Sequence, residues 1–172
     1  MSKHHKQFPV DVATPDGKDH FGSSGLTIKS TLSFSDLIVA KYKTVLIPGG
    51  DPAAVIGNQN LKNIIKLAHS QKSILAAICA GPVVLEQASI LDGKKIAYGY
   101  EGPQKEWLLS NGFFKKTELT NEPYIVDDNI ITARPDHFID FAIEVGILAG
   151  CIYRERADYL KKYYSGRTRV QN

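Results

Sequence analysis

The chain has 172 residues, 43% of them hydrophobic and 23% charged, with a formal net charge of +3. That length and mixture suit one soluble domain over residues 1–172, with a core at about 8–150 and a C-terminal helix and tail at 151–172. Lys and Arg are scattered among Asp and Glu, the two cysteines (Cys79 and Cys151) lack metal-ligand spacing, and no apolar run nears the roughly 20 residues of a membrane helix. Nucleic-acid binding, a metal site, a disulfide framework and membrane insertion are therefore not expected, and a reducing cytoplasm fits best.

Residues 8–13 (FPVDVA) alternate and are β-branched-rich, and TPDGK then breaks them with turn residues, which predicts a strand. LTIKS, from Leu26, reads as a second strand, and residues 35–41 as a small helix. TVLI (44–47) is an apolar β-branched run that stops at PGG. Leu61, Ile64, Ile65 and Ala68 recur at the i, i+3, i+4, i+7 spacing of an amphipathic helix, and SILAAI follows at once as a buried strand. The alternation continues with a helix over 80–89, a strand at KKIAYG, a helix over 103–110, and a hairpin in YIVDDNIITA that turns at Asp127, Asp128 and Asn129. An apolar helical face through Phe138, Phe141, Ala142, Val145, Leu148, Ala149 and Ile152 precedes a Tyr- and Lys-rich helix. Strands alternating with helices predict an α/β sandwich: a mostly parallel sheet with helices on both faces.

In such folds ligands gather at the carboxyl ends of the strands, and AAICAGP (76–82) places Cys79 there. The nucleophile elbow of hydrolases needs small residues two positions either side of the nucleophile, and here they are Ala77 and Gly81. A helix N-terminus beside the thiol favours the thiolate. Inert packing is the competing reading, since free cysteines are among the most buried residues. If TVLI neighbours SILAAI, the amides of Gly49 and Gly50 come close to Cys79 and join that of Ala80 as oxyanion donors.

Tyr98, Tyr100 and Glu101 follow the next strand, where they can line a pocket, Glu101 as an acid or base. His137 is the histidine nearest a site segment and a second acid–base candidate; Asp136 beside it can equally cap a helix. Cys151, late in an apolar helix, reads as packing.

TVLIPGGDPAAV, then SILAAICAGPVVLEQASILDGKKIA about thirty residues on, then NIITARP before a long helix, resemble the ThiJ/PfpI superfamily, class I glutamine amidotransferase-like, over roughly residues 8–150. The resemblance implies a flavodoxin-like three-layer α/β/α sandwich, commonly a homodimer, with Cys79 as the strained elbow nucleophile. Gly50 and Ala80 match its oxyanion side, and Arg134 matches the arginine of a TSRGP-like stretch. Its members include glyoxalase or deglycase-type enzymes, isonitrile hydratases, intracellular peptidases and stress sensors or chaperones.

The chain also departs from that pattern. It starts at what resembles the second strand, so the first strand, its G-F-E-E-like turn and its acidic helper have no assigned counterpart, and neighbouring strands are expected to carry unpaired backbone groups. Ala80 stands where the peptidase branch has His, residues 115–118 lack the histidine some members carry, and TARPDHF lacks the glycine of SRGP. The sequence therefore points to a Cys79-dependent enzyme acting on a small reactive carbonyl without metal or organic cofactor. The alternative is a non-catalytic, redox-responsive or ligand-binding stress protein of the same family.

Overall fold

The computed structural model describes residues 9–22, 24–99 and 101–165. The predicted Tyr100 and Phe8 positions lie outside them. In chain order the strands are β1 (Ala13–Thr14), β2 (His20–Phe21), β3 (Thr27–Ile28), β4 (Leu32–Ser33), β5 (Thr44–Ile47), β6 (Ile74–Ile78), β7 (Lys95–Ala97), β8 (Glu118–Thr120), β9 (Tyr124–Asp127) and β10 (Ile130–Ala133). The α-helices are α1 (Gln59–Ser70), α2 (Gly81–Glu86), α3 (Pro103–Ser110), α4 (Phe138–Ala149) and α5 (Ala157–Tyr164).

The central sheet runs β5-β6-β10-β9, with the first three strands parallel and β9 antiparallel to β10 across a turn in which Asp128 has φ 57°. Layers form because β6 is apolar on both sides. Leu75 and Ala77 face Ile64, Ile65, Ala68 and Val83 of α1 and α2, whereas Ile74 and Ala76 face Phe141 and Val145 of α4. Helices thus cover both faces, as the alternation predicted. The helical spacing of Leu61, Ile64, Ile65 and Ala68 gives the buried stripe of α1, and Asn58 caps its start by accepting from the Leu61 amide at 3.0 Å. Gly150 ends α4 in the left-handed region, φ 79°, where a side chain is disfavoured. The β7–β8 pair is a separate parallel ladder beside this sheet: the Ala97 amide donates to the buried Thr132 Oγ1 of β10 at 2.9 Å instead of to a neighbouring carbonyl.

Several predicted elements contract. The strand at 8–13 reduces to β1, paired in parallel with β4, because Pro9 has no N–H and β4 offers only two residues. LTIKS yields β3, which pairs antiparallel with β2 in an exposed hairpin. Residues 35–41 form only a 3-10 turn at Val39–Lys41, and the helix over 80–89 stops at Glu86, after which Ser89 takes φ 56°.

One edge of the central sheet is open. The Ile74 amide donates to the Lys43 carbonyl at 2.8 Å, so alternation turns Val45 and Ile47 toward β6 and leaves the N–H and C=O of Thr44 and Leu46 facing outward. Among the described residues no strand pairs with β5 on that side.

Helix α5 and the 3-10 turn before it, Arg154–Arg156, are each tied to α4 by an ion pair, Lys161 Nζ to Asp140 Oδ1 at 2.9 Å and Arg154 Nη2 to Glu144 Oε1 at 2.8 Å. Burial opposes ionisation of Asp140, but hydrogen bonds from Lys161 and His137 outweigh it and hold the carboxyl below its ordinary range. A depressed acid stabilises the fold above its unfolded pKa of about 3.9, and that contribution is lost as pH falls through the lower folded value. Asp140→Asn should therefore cost about 1 kcal/mol or less at neutral pH, and nothing at the acid end of the folded range. Urea midpoints of both proteins across pH check this; equal midpoints at pH 7 would exclude a working latch.

Candidate active site

At the carboxyl end of β6 the backbone is closely packed. Cys79 follows Ile78 with φ 61°, a left-handed conformation that costs a side-chain-bearing residue about 1–2 kcal/mol. Three neighbours hold it there. Its amide donates to the Ala133 carbonyl of β10 at 3.0 Å. Gly49, just past β5, lies so close that a Cβ there would sit 2.7 Å from the Cys79 Cβ and 3.3 Å from its Sγ. A Cβ on Gly81 would meet the Ile47 carbonyl oxygen at 2.8 Å and the Ala77 Cβ at 3.2 Å. These contacts explain the small residues at positions 77 and 81: the turn folds its own flanks together. Pro82 then fixes the first turn of α2. The Cys79 side chain is half-buried.

The other predicted residues distribute unevenly around this point. Gly50 is exposed with φ 119°, and Ala80 is buried at the start of α2. Arg134 follows β10, and the loop after β7 packs on it: a Cβ on Gly99 would lie 2.8 Å from Pro135 Cδ and 3.5 Å from Arg134 Cγ. Gly99 was not singled out in the sequence, although its place after a strand matched that of Gly49. The Arg134 fork is largely spent, with Nε and Nη2 donating to the two Asp136 oxygens at 3.1 and 3.0 Å and Nη1 to the Asn121 carbonyl at 3.1 Å. Those bonds hold the Asp136 carboxyl below its usual range, and the residue pairs with Arg134 instead of capping α4.

His137 has Nδ1 3.2 Å from Asp140 Oδ2 and Nε2 3.7 Å from Asp136 Oδ2, so carboxylates flank both ring nitrogens. Tyr98 is buried against Phe114, ring centroids 5.0 Å apart, within the core beneath α1 and α2. Glu101 is exposed two residues before α3. Among the described residues no group of three or more His, Cys, Asp or Glu side chains is spaced for a metal, and no helix is long and apolar enough to cross a membrane.

Residues 3–146 match the model of the DJ-1/PfpI family. The chain belongs to that family. DJ-1/PfpI relatives include YraA of Bacillus subtilis, 31% identical over 129 residues that make up 74% of this chain and 73% of that protein. A Pyrococcus horikoshii protein named deglycase PH1704 is 28% identical over 114 residues, 66% of this chain and 65% of its own. The chain thus spans less than two thirds of that deglycase. Among solved structures, the DJ-1 superfamily protein Atu0886 of Agrobacterium tumefaciens superposes with a TM-score of 0.73 at 20% identity, covering 91% of this chain and 82% of its own. The likeness in fold places the chain among flavodoxin-like DJ-1/PfpI structures.

Three substitutions at two positions probe the wedge at Cys79. Gly49→Ala should destabilise the protein by about 1–3 kcal/mol, since the new methyl must displace Cys79 or β5. Cys79→Gly should be about 1 kcal/mol more stable than Cys79→Ala, because only the latter keeps a Cβ at positive φ. Denaturant unfolding of the three variants measures both, and a Cys79→Ala protein as stable as Cys79→Gly would rule out the strain.

Proposed function

We propose that this chain is a cysteine-dependent DJ-1/PfpI enzyme that acts on a small reactive carbonyl compound through Cys79, in the cytoplasm and as a homodimer. The observation that carries the reading is the position of Cys79: a nucleophile-capable side chain held at φ 61° at the carboxyl end of the central strand β6, with glycine backbone pressed against it. Relatives named deglycase agree with carbonyl chemistry.

In this reading the Cys79 thiolate adds to an aldehyde carbon. The C–S bond forms, the carbonyl π pair moves to oxygen, and a proton reaching that oxygen completes a hemithioacetal. Amides near Gly50 and Ala80 are the proposed donors to the developing oxyanion. Transfer of the aldehydic hydrogen to the neighbouring carbonyl carbon would give a thioester, and water would release the 2-hydroxy acid and regenerate the thiol. The net change is addition of water to a dicarbonyl. Of the proposed acid–base groups, His137 starts out engaged by Asp136 and Asp140, whereas Glu101 is exposed to solvent on its loop. Arg134 keeps two of its five N–H groups for an anionic product, two others being held by Asp136 and one by the Asn121 carbonyl.

The test is methylglyoxal consumption with lactate formation by the purified protein. Wild type should turn over and Cys79→Ser should lose at least 100-fold in kcat/KM, while Cys151→Ser should stay near wild type. Selective oxidation of Cys79 by peroxide, seen as added oxygen in intact mass, without any carbonyl turnover would replace this reading with the redox-responsive one.

A further inference from the structure

Helix α4 divides its surface between charge and hydrocarbon. Its carboxylates, Asp140 and Glu144, stand on the flank that receives Lys161 and Arg154. A different flank, through Phe138, Ile139 and Ala142, lines a groove of about 490 Å³ whose facing wall is Leu160 and Tyr164 of α5. Cys151 and Ile152, in the turn between the helices, complete the apolar lining. The turn is fixed before anything enters: the Cys151 and Ile152 amides both donate to the Gly146 carbonyl, at 2.8 and 3.0 Å, and a Cβ on Gly146 would meet Ile152 Cδ1 at 2.5 Å. With α5 and the 3-10 turn before it tied down by the two ion pairs, the groove is preformed, as small-molecule sites usually are.

Its charge is of one sign. Arg156 is the charged member of the lining, and no carboxylate faces the groove among the described residues. The neighbouring cations are engaged, Arg154 by Glu144 and Lys161 by Asp140, whereas the exposed Arg156 side chain makes no ion pair or hydrogen bond among the described residues. An apolar cleft with one guanidinium left for a partner is complementary to an apolar molecule that carries one anionic group.

We infer that this groove binds a small apolar carboxylate, its hydrocarbon along the walls of α4 and α5 and its carboxylate on Arg156. Burial of the chain releases water from Phe138, Ile139 and Leu160, and the guanidinium fork matches the two carboxylate oxygens. Size sets the class: at the ~30 Å³ that a water-sized group occupies in a liquid, the groove holds roughly 15 heavy atoms, those of a medium-chain acid. A second copy of the chain is a poorer occupant, because a two-fold contact would bring the same concave, cationic lining against itself. None of the lining residues belongs to the Cys79 turn, so the inference stands independently of the proposed reaction.

The probe is sodium decanoate, titrated calorimetrically into the full chain below its micelle concentration. It should bind saturably, and at saturation iodoacetamide should alkylate Cys151 about fivefold more slowly, followed by peptide mass, while the rate at Cys79 stays unchanged. Arg156→Gln, and decan-1-ol in place of the acid, should each weaken binding about tenfold, since each removes one charge from the pair. Ala142→Trp, which fills the groove from an exposed position, should abolish binding. The inference is overturned by the absence of saturable binding, or by binding that Arg156→Gln or Ala142→Trp leaves at wild-type strength. Slower alkylation of Cys79 in place of Cys151 also overturns it, because decanoate would then sit at the elbow.

Discussion

The contact on which the site depends is the one between backbone and backbone at the carboxyl ends of β5 and β6. Gly49 and Gly81 have no Cβ because the Cys79 Cβ and the Ile47 carbonyl occupy the space. Removing those side chains lets two strands and a helix meet within van der Waals distance around one cysteine. The same closeness supplies the restraint, since a residue at φ 61° relaxes to an extended or helical conformation unless its neighbours forbid it. Here β10 holds the Cys79 amide, β5 walls its side chain, and α2 starts two residues later with a proline that fixes its first turn.

Much of this was legible in the sequence because it depends on periodicity and on residue size. The spacing of Leu61, Ile64, Ile65 and Ala68 reports a helix buried along one stripe, and an uninterrupted SILAAI reports a strand buried on both sides. Ala77 and Gly81 report a turn that folds onto itself. What the sequence could not show were features set by partners far along the chain. KKIAYG announces β7, but β8 is a three-residue strand paired with β7 and carries no run long enough to read. Tyr98 looked like a pocket residue because it follows a strand, but Phe114, sixteen residues on, packs against its ring within the core. Arg134 and Asp136 are two residues apart, and only the extended backbone of Arg134 ahead of the 3-10 turn at Pro135–His137 brings them into a two-pronged pair.

The charges near the elbow are organised in a chain that runs away from it. Arg134 bonds Asp136, Asp136 lies near His137, His137 bonds Asp140, and Asp140 bonds Lys161 on α5. Each member satisfies the next, which anchors the C-terminal helix and fixes the loop after β10. A group so engaged must give up a partner before it can move a substrate proton, and at half-buried positions the charge left behind would be poorly compensated. Fixed amides carry no such penalty, because their orientation is set by the fold before substrate arrives. In the reaction proposed above, the weight of catalysis would therefore fall on the backbone at Gly49, Gly50 and Ala80 more than on side chains.

That shift makes the support of β5 decisive. Gly49 directly follows β5, and among the described residues β5 is joined to the sheet by one ladder, to β6. An edge strand moves more readily than a central one, because its outward amides exchange protein hydrogen bonds for water at little cost. Any movement of β5 by a few tenths of an ångström passes directly to Gly49, where the cysteine side chain has no slack. The seating of Thr44 to Ile47 on β6 and the geometry around Cys79 are thus coupled through Gly49.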